Sequence, residues 1–376
     1  MAAINDSSTK ASIRASMLPH IRDLEIYQGV ESMEAMAERA GIPPEKIVRL
    51  NGNENPYGPS PRVAEALANF QNYNHYPDPE QRQLRQVLSG YVKTPPENIV
   101  AGNGSDELID LLLRIFVGPG DNIIIPTPTF GMYAFNAGLC GGEAVDVPRD
   151  ENYQLDIEAV KRAITPRTKV IIIACPNNPT GNIATEAEIR ALLDTGTLVV
   201  VDEAYYEFSG VTMVPLLDEY PNLVVLRTFS KWAGLAGLRI GLGAMQPDLA
   251  RTLMNIKPPY NVNQAAEVAL TASLEDISCL LERVANIIAE RDRMAQVLHG
   301  IPGVKPWPSQ ANFILCQLPE GRGKEVFEGL CNRGIFLRYW RNDRLKDSIR
   351  ASVGLPFETD AVTGALAELT GGGNGV

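Results

Sequence analysis

Four short apolar runs constrain this chain more than any other feature: Asn122-Ile-Ile-Ile-Pro126, Lys169-Val-Ile-Ile-Ile-Ala174, Thr197-Leu-Val-Val-Val201 and Leu223-Val-Val-Leu226. Each is rich in β-branched residues and bounded by Gly, Pro, Asp or Asn. Runs of this length without polar alternation suit strands covered on both faces, as in a mostly parallel α/β sheet. Asn98-Ile-Val-Ala-Gly-Asn-Gly104 reads as a further strand entering a turn, and Ser105 to Val117 has the apolar spacing of a helix. Ser32-Met-Glu-Ala-Met-Ala-Glu-Arg-Ala-Gly41 is an earlier helix that stops at glycine ahead of Pro43-Pro44.

After about residue 265 the pattern changes. A long helical stretch from roughly Gln264 to Leu298 leads into shorter strands at Phe313–Cys316 and Ile335–Arg338, which predicts a smaller α+β lobe. The expected division is an N-terminal arm and helix over 1–48, a large α/β domain over 49–262 and a small C-terminal domain over 263–376. Gly371-Gly-Gly-Asn-Gly375 reads as a frayed tail.

Composition narrows the function classes. With 376 residues, 45% of them hydrophobic, the chain can bury a substantial core. A net charge of −11 argues against nucleic acid as partner, yet a few local arginines can still hold an anionic small molecule. Five scattered cysteines and three distant histidines form no zinc pattern, so no metal is expected, and unpatterned thiols suit a reducing compartment. The opening Met-Ala-Ala-Ile-Asn-Asp-Ser-Ser-Thr-Lys lacks the apolar core of a secretory signal, and no charge-free run reaches membrane-spanning length. The expectation is a cytoplasmic protein without membrane partners.

Four polar motifs follow the expected strands, at the edge where open parallel sheets place ligands. Gly102-Asn-Gly-Ser-Asp-Glu107 is a strand-to-helix turn whose N–H groups suit either a phosphate or an ordinary cap. It lacks the G-x-x-x-x-G-K-[ST] pattern of nucleotide-binding loops. Cys175-Pro-Asn-Asn-Pro-Thr-Gly181 is a plain turn, or a turn aiming one amide at a ligand oxygen. Val201-Asp-Glu-Ala-Tyr-Tyr-Glu207 puts a carboxylate, Asp202, at the end of an apolar strand. Such a charge is costly without compensation, and a protonated pyridine nitrogen would supply it. Thr228-Phe-Ser-Lys231, with Gly234, Gly237 and Arg239, fits a Schiff-base lysine beside a phosphate seat; taken alone it also fits a surface turn.

Their order is harder to explain as four structural turns. Asn-Asn-Pro-Thr-Gly, then Asp-Glu-Ala-Tyr, then Ser-Lys with Gly-Leu-Arg resembles the pyridoxal-phosphate (PLP) aminotransferases of fold type I. Asn51-Gly-Asn-Glu-Asn-Pro-Tyr-Gly58, Pro128-Thr-Phe-Gly-Met-Tyr133, Lys257-Pro-Pro-Tyr-Asn-Val-Asn263 and Ile349-Arg-Ala-Ser-Val-Gly354 resemble their histidinol-phosphate branch. The similarity runs from about residue 20 to 365. It implies a seven-stranded, mostly parallel sheet in an α/β/α sandwich with PLP bound in the large domain, plus the smaller α+β domain.

The resemblance also implies roles. Lys231 would carry the cofactor and shuttle a proton, Asp202 would pair with the pyridine nitrogen, and Asn178 and Tyr205 would bond its phenolic oxygen. Gly104, Ser105, Asp106, Thr228, Ser230 and Arg239 would hold the 5′-phosphate, and Phe130 would stack on the ring. Tyr57 would reach the cofactor of a second subunit, which implies a homodimer with composite sites. Arg350 would take the α-carboxylate of glutamate or the phosphate of histidinol phosphate, with Tyr27, Asn53, Asn178 and Arg338 nearby. The implied reaction is amino transfer between a small-molecule amino donor and a 2-oxo acid, here histidinol phosphate and 2-oxoglutarate in histidine biosynthesis.

Three departures bear on the substrate: Ile26-Tyr-Gln-Gly-Val30, Trp232 directly after the lysine, and the bulky basic run Arg338-Tyr-Trp-Arg-Asn-Asp343. Phe130, Tyr133, Trp232 and Trp340 could equally line a pocket for an aromatic amino acid, so an aromatic aminotransferase is one alternative. A PLP-dependent decarboxylase of a phosphorylated amino acid is another. A PLP-binding transcription regulator would need a fused basic DNA-binding segment, for which this acidic chain leaves no room.

Overall fold

The computed structural model describes residues 13–24, 27 and 29–371. The N-terminal decapeptide and residues 372–375 of the tail therefore lie outside the described residues, as do Ile26 and Gln28 of the 26–30 run. A first short strand, β1 (Val48–Arg49), precedes the central sheet, which is formed by β2 (Ile99–Gly102), β3 (Asn122–Thr127), β4 (Glu143–Pro148), β5 (Thr168–Ala174), β6 (Leu198–Asp202), β7 (Leu223–Thr228) and β8 (Gly241–Ala244). Its order is β2-β8-β7-β6-β5-β3-β4. Only β8 runs against its neighbours, so the other six strands point the same way.

Successive strand residues point to opposite faces, and here both faces are dry. Val199 and Val201 join one apolar core with Ile171 and Ile173, while Val200 joins the other with Val170 and Ile172. That is why these strands read as continuous apolar runs. Two strands escaped the reading. Edge strand β4 carries polar residues, and β8 is Gly-Leu-Gly-Ala. Gly241 leaves no room for a side chain: a Cβ there would lie 2.5 Å from the Ser105 nitrogen and 2.8 Å from the Arg227 oxygen. Packing, not β-propensity, makes this segment a strand.

The second sheet, antiparallel in the order β12-β13-β10-β9, comprises β9 (Lys305–Pro306), β10 (Phe313–Gln317), β12 (Arg338–Tyr339) and β13 (Ser348–Ser352); β11 (Ile335–Phe336) pairs in parallel with β1. The expected strand Ile335–Arg338 is thus two, because the chain leaves β1 and pairs with β13 instead. The expected helix Gln264–Leu298 is likewise two, Gln264–Glu275 and Ile277–His299, broken at Asp276. Asp276 has non-helical torsions and its carboxylate accepts a hydrogen bond from the Ser60 hydroxyl. The second of these helices serves both lobes: Leu280, Val284 and Ile287 join the large core, and Met294 and Leu298 join the small one. No described helix is long and apolar enough to cross a membrane.

Candidate active site

Because β2, β5, β6 and β7 are parallel, their C-terminal ends deliver Gly102, Ala174, Asp202 and Thr228 to one edge of the sheet. Ala174 lies opposite Asp202 in the ladder. A cleft of about 240 Å³ opens there, and the small lobe forms its outer wall. Lys231, Asp202, Tyr205, Ser105, Asp106, Phe130, Asn178, Thr228, Ser230, Arg239, Tyr27, Asn53, Arg338 and Arg350 all line it. Of the residues expected at the site, Gly104 and Tyr57 do not. Gly104 acts from behind, and Tyr57 packs part-buried against the chain's own large core.

One end of the cleft is built for an oxyanion. The helix Ser105–Phe116 starts after Gly104 with no side chain capping its first turn, so its leading N–H groups face the cleft with the positive end of the helix dipole. Gly104 has φ +81°, and a Cβ there would sit 2.6 Å from Arg239 Nη2. Glycine at 104 therefore lets the guanidinium approach the helix end. Arg239 donates to Asp106 at 3.0 Å and to the Ser230 hydroxyl at 3.4 Å, and the Thr228 hydroxyl donates to Ser230 Oγ at 3.0 Å.

Asp202 forms the floor. Its Oδ2 accepts from the Tyr133 hydroxyl at 2.6 Å and its Oδ1 from the Ala204 N–H at 3.1 Å. Removal from water lifts its pKa to about 6 despite the Tyr133 bond, which acts the other way. Such a carboxylate calls for a cation. Lys231 Nζ donates to the Gly52 carbonyl at 3.0 Å. Removal from water, then the positive charge of Arg350, brings its pKa down to about 8, which places a neutral amine within reach near physiological pH. Behind these two residues, Arg227 Nε donates to Glu203 Oε2 at 2.9 Å in an almost water-free pair that ties β7 to β6.

The outer wall is cationic. Arg338 and Arg350 stand directly opposite each other on β12 and β13. Burial first, with the charge of Arg338 contributing, lowers Arg350 to about 10. Arg350 donates to Asn178 Oδ1 at 2.6 Å and to the Asn51 carbonyl at 2.7 Å, while its Nε has no hydrogen-bond partner among the described residues. Both guanidiniums border the cleft, where a single oxyanion could meet them together. The two asparagines of the 175–181 turn divide the work: Asn177 is buried and holds the turn to Thr180 and the Pro128 carbonyl, whereas Asn178 faces the cleft. Tyr205 is held by Asn53 Nδ2 at 2.8 Å, and Asn53 by the Ser352 hydroxyl at 2.9 Å. Tyr27 covers Phe130 edge-on at 6.1 Å.

Two expected aromatic wall residues do not line the cleft itself. Trp232 is fully buried, stacked on Tyr91 at 5.7 Å, because the residue after Lys231 turns its side chain into the core. Trp340 lies against the arginine wall, with the Arg350 and Arg338 guanidiniums 5.9 and 6.0 Å from its ring centre, and packs with Tyr153, Leu315 and Leu345. Tyr133 lines the cleft as expected, but its bond to Asp202 and two further lining residues were missed. Those two, Arg49 and Glu54, line the cleft as an ion pair. Glu54 lies inside a motif the sequence displays, but nothing in that motif signals its partner.

The donor set suits PLP on these grounds: a helix end without a side-chain cap beside Arg239 for a phosphate, a buried carboxylate with no cation partner among the described residues, and a lysine of lowered pKa in the same cleft. Comparison with known proteins agrees. Residues 45–363 match the family model for class I and II aminotransferases. Histidinol-phosphate aminotransferase of Roseiflexus castenholzii is 47% identical over 96% of this chain and 99% of its own. That of Dehalococcoides mccartyi is 49% identical over 92% of this chain and 96% of its own. The crystal structure of histidinol-phosphate aminotransferase from Sinorhizobium meliloti in complex with pyridoxal-5′-phosphate superposes with a TM-score of 0.86 at 29% identity, covering 94% of this chain and 97% of that one. The chain therefore belongs to the class I and II aminotransferase family, on its histidinol-phosphate aminotransferase branch.

Proposed function

We propose that this chain is a PLP-dependent enzyme that transfers the amino group of L-histidinol phosphate to 2-oxoglutarate, giving imidazole-acetol phosphate and L-glutamate, in histidine biosynthesis. The observation that carries the reading is the facing pair Arg338 and Arg350 on the wall opposite Lys231 and Asp202. Two guanidiniums suit the phosphate of one donor and the α-carboxylate of the other.

Ser105, Asp106, Thr228, Ser230 and Arg239, with Gly104 making room, hold the cofactor phosphate. Asn178 and Tyr205 hold the phenolic oxygen, and Phe130 covers the ring. Since Asn53 donates to Tyr205, the phenol's own hydrogen remains available to the cleft. PLP supplies the electron sink for the carbanion. The chain's residues supply the rest: Asp202 holds positive charge at the ring nitrogen, and Lys231 takes and returns the proton from the substrate carbon. The reading extends to a cytoplasmic homodimer in which Tyr57 reaches the neighbouring subunit's cofactor phosphate, with residues 49–262 as the PLP-binding domain.

The test is a half-reaction panel on purified holoenzyme, following the change in cofactor absorbance with histidinol phosphate, glutamate, phenylalanine and tyrosine. Histidinol phosphate is expected to react with the highest kcat/KM. A rate no better than phenylalanine's would give the chain to the aromatic-amino-acid class, and release of CO₂ would give it to the decarboxylases. A second expectation concerns Tyr133→Phe. It removes the bond that lowers the pKa of Asp202, so the acid limb of the kcat profile moves upward by about one pH unit, the worth of one hydrogen bond to a charged group. An unmoved limb in the pH–rate profile would separate Tyr133 from the chemistry.

A further inference from the structure

The proposed reaction makes one cleft accept two unlike donors. Arg350 and Arg338 meet an oxyanion in both cases, the phosphate of histidinol phosphate or the α-carboxylate of glutamate. The other arm differs: an N–H-bearing ring in histidinol phosphate, a side-chain carboxylate in glutamate. One needs an acceptor and the other a cation.

Arg49 and Glu54 supply one of each. Both line the cleft, and Arg49 Nη2 lies 2.5 Å from Glu54 Oε1. Arg49 stands on β1, which pairs with Ile335–Phe336 just before Arg338, so the ion pair and the two arginines share the outer wall. Gly52 clears space for the carboxylate, since a Cβ there would lie 3.2 Å from Glu54 Cδ. The charge of Glu54 is felt at Lys231, which places it within reach of the reacting end. Arg49 Nε has no hydrogen-bond partner among the described residues. The side chains keep 29% and 42% of their exposure, and a pair this open separates at little cost.

We propose that this ion pair reads the donor side chain by opening in two ways: Glu54 accepts the ring N–H of histidinol phosphate, and Arg49 takes the side-chain carboxylate of glutamate. When one partner is engaged by substrate, the other keeps its charge at the solvent-facing rim. This inference rests on the substrate reading above.

The experiment measures kcat/KM for the histidinol phosphate and glutamate half-reactions on wild-type, Glu54→Gln and Arg49→Gln holoenzymes, and compares their ratio. General damage cancels in that ratio. Glu54→Gln is expected to lower it and Arg49→Gln to raise it, each by about tenfold, the difference between a charged and a neutral hydrogen bond. Arg49→Lys should return the ratio toward wild type. Ratios that stay within about twofold, or that move in the same direction, overturn the proposal. The substrate reading fails separately: it is lost if the wild-type enzyme does not prefer histidinol phosphate to phenylalanine.

Discussion

Replacing Lys231 with alanine is expected to leave PLP bound but never covalently fixed, with borohydride attaching no cofactor to the protein and transamination falling by about 10⁴-fold. Two losses combine. Lys231 is the only lysine among the described residues that line the cleft, and its amine is also the proton carrier for the substrate carbon. The phosphate seat survives, because Arg239, Ser230, Thr228 and the Ser105 helix end do not depend on the lysine. Mass spectrometry of the borohydride-treated protein is the check, and a reducible adduct on the Lys231→Ala protein would sink the assignment. The wild type carries a further signature. Burial and Arg350 bring the amine down to about 8, so the rate of covalent attachment should rise from pH 7 to pH 8 and flatten above it. An exposed lysine would keep rising well beyond.

What the sequence disclosed depended on how local the cause was. The strands β3, β5, β6 and β7 were legible because burial on both faces leaves its mark on every residue of the run. Lys231, Asp202 and Asn178 were legible because each lies at or within a few residues of the C-terminal end of such a strand. Strand β8 was not, since its reason to exist is the close approach of Ser105 and Arg227 across Gly241. Trp232 was misread for a related reason: adjacency to Lys231 in the chain says nothing about which side of the backbone a side chain takes, and this one stacks on Tyr91. Tyr133 and the Arg49–Glu54 pair act only through residues 69 and 5 positions away, and their meaning appears once the fold closes the cleft. The break at Asp276 depends on Ser60, more than two hundred residues distant, and leaves the helical pattern on either side intact.

Asp202→Asn is expected to separate stability from catalysis in opposite directions. In the cofactor-free protein burial raises this carboxyl from 3.8 to about 6. Between those values the folded chain keeps a proton that the unfolded chain has released, so stability falls as pH rises through the window. Above it the buried charge costs about 3 kcal/mol. Asparagine removes the charge. Its carbonyl can still accept from Tyr133, but its amide meets the Ala204 N–H donor to donor and forfeits about 1 kcal/mol. The apo variant should therefore be more stable than wild type by about 2 kcal/mol at pH 7.5, with the advantage gone below pH 4, where the wild-type carboxyl is neutral as well. Catalysis goes the other way. Without a charge at the floor the ring nitrogen loses its counter-ion, and kcat should fall on the order of 10³-fold, the scale of removing a preorganised electrostatic contact at a reacting centre. Denaturant unfolding of the apo proteins from pH 4 to 8, alongside single-turnover kinetics of the holoenzymes, reads both effects. An apo variant no more stable than wild type at neutral pH, or one whose turnover stays within tenfold of it, would mean that Asp202 carries no charge poised for the cofactor. A gain in stability together with the loss of turnover identifies it as a residue whose burial serves the reaction at the expense of the empty fold.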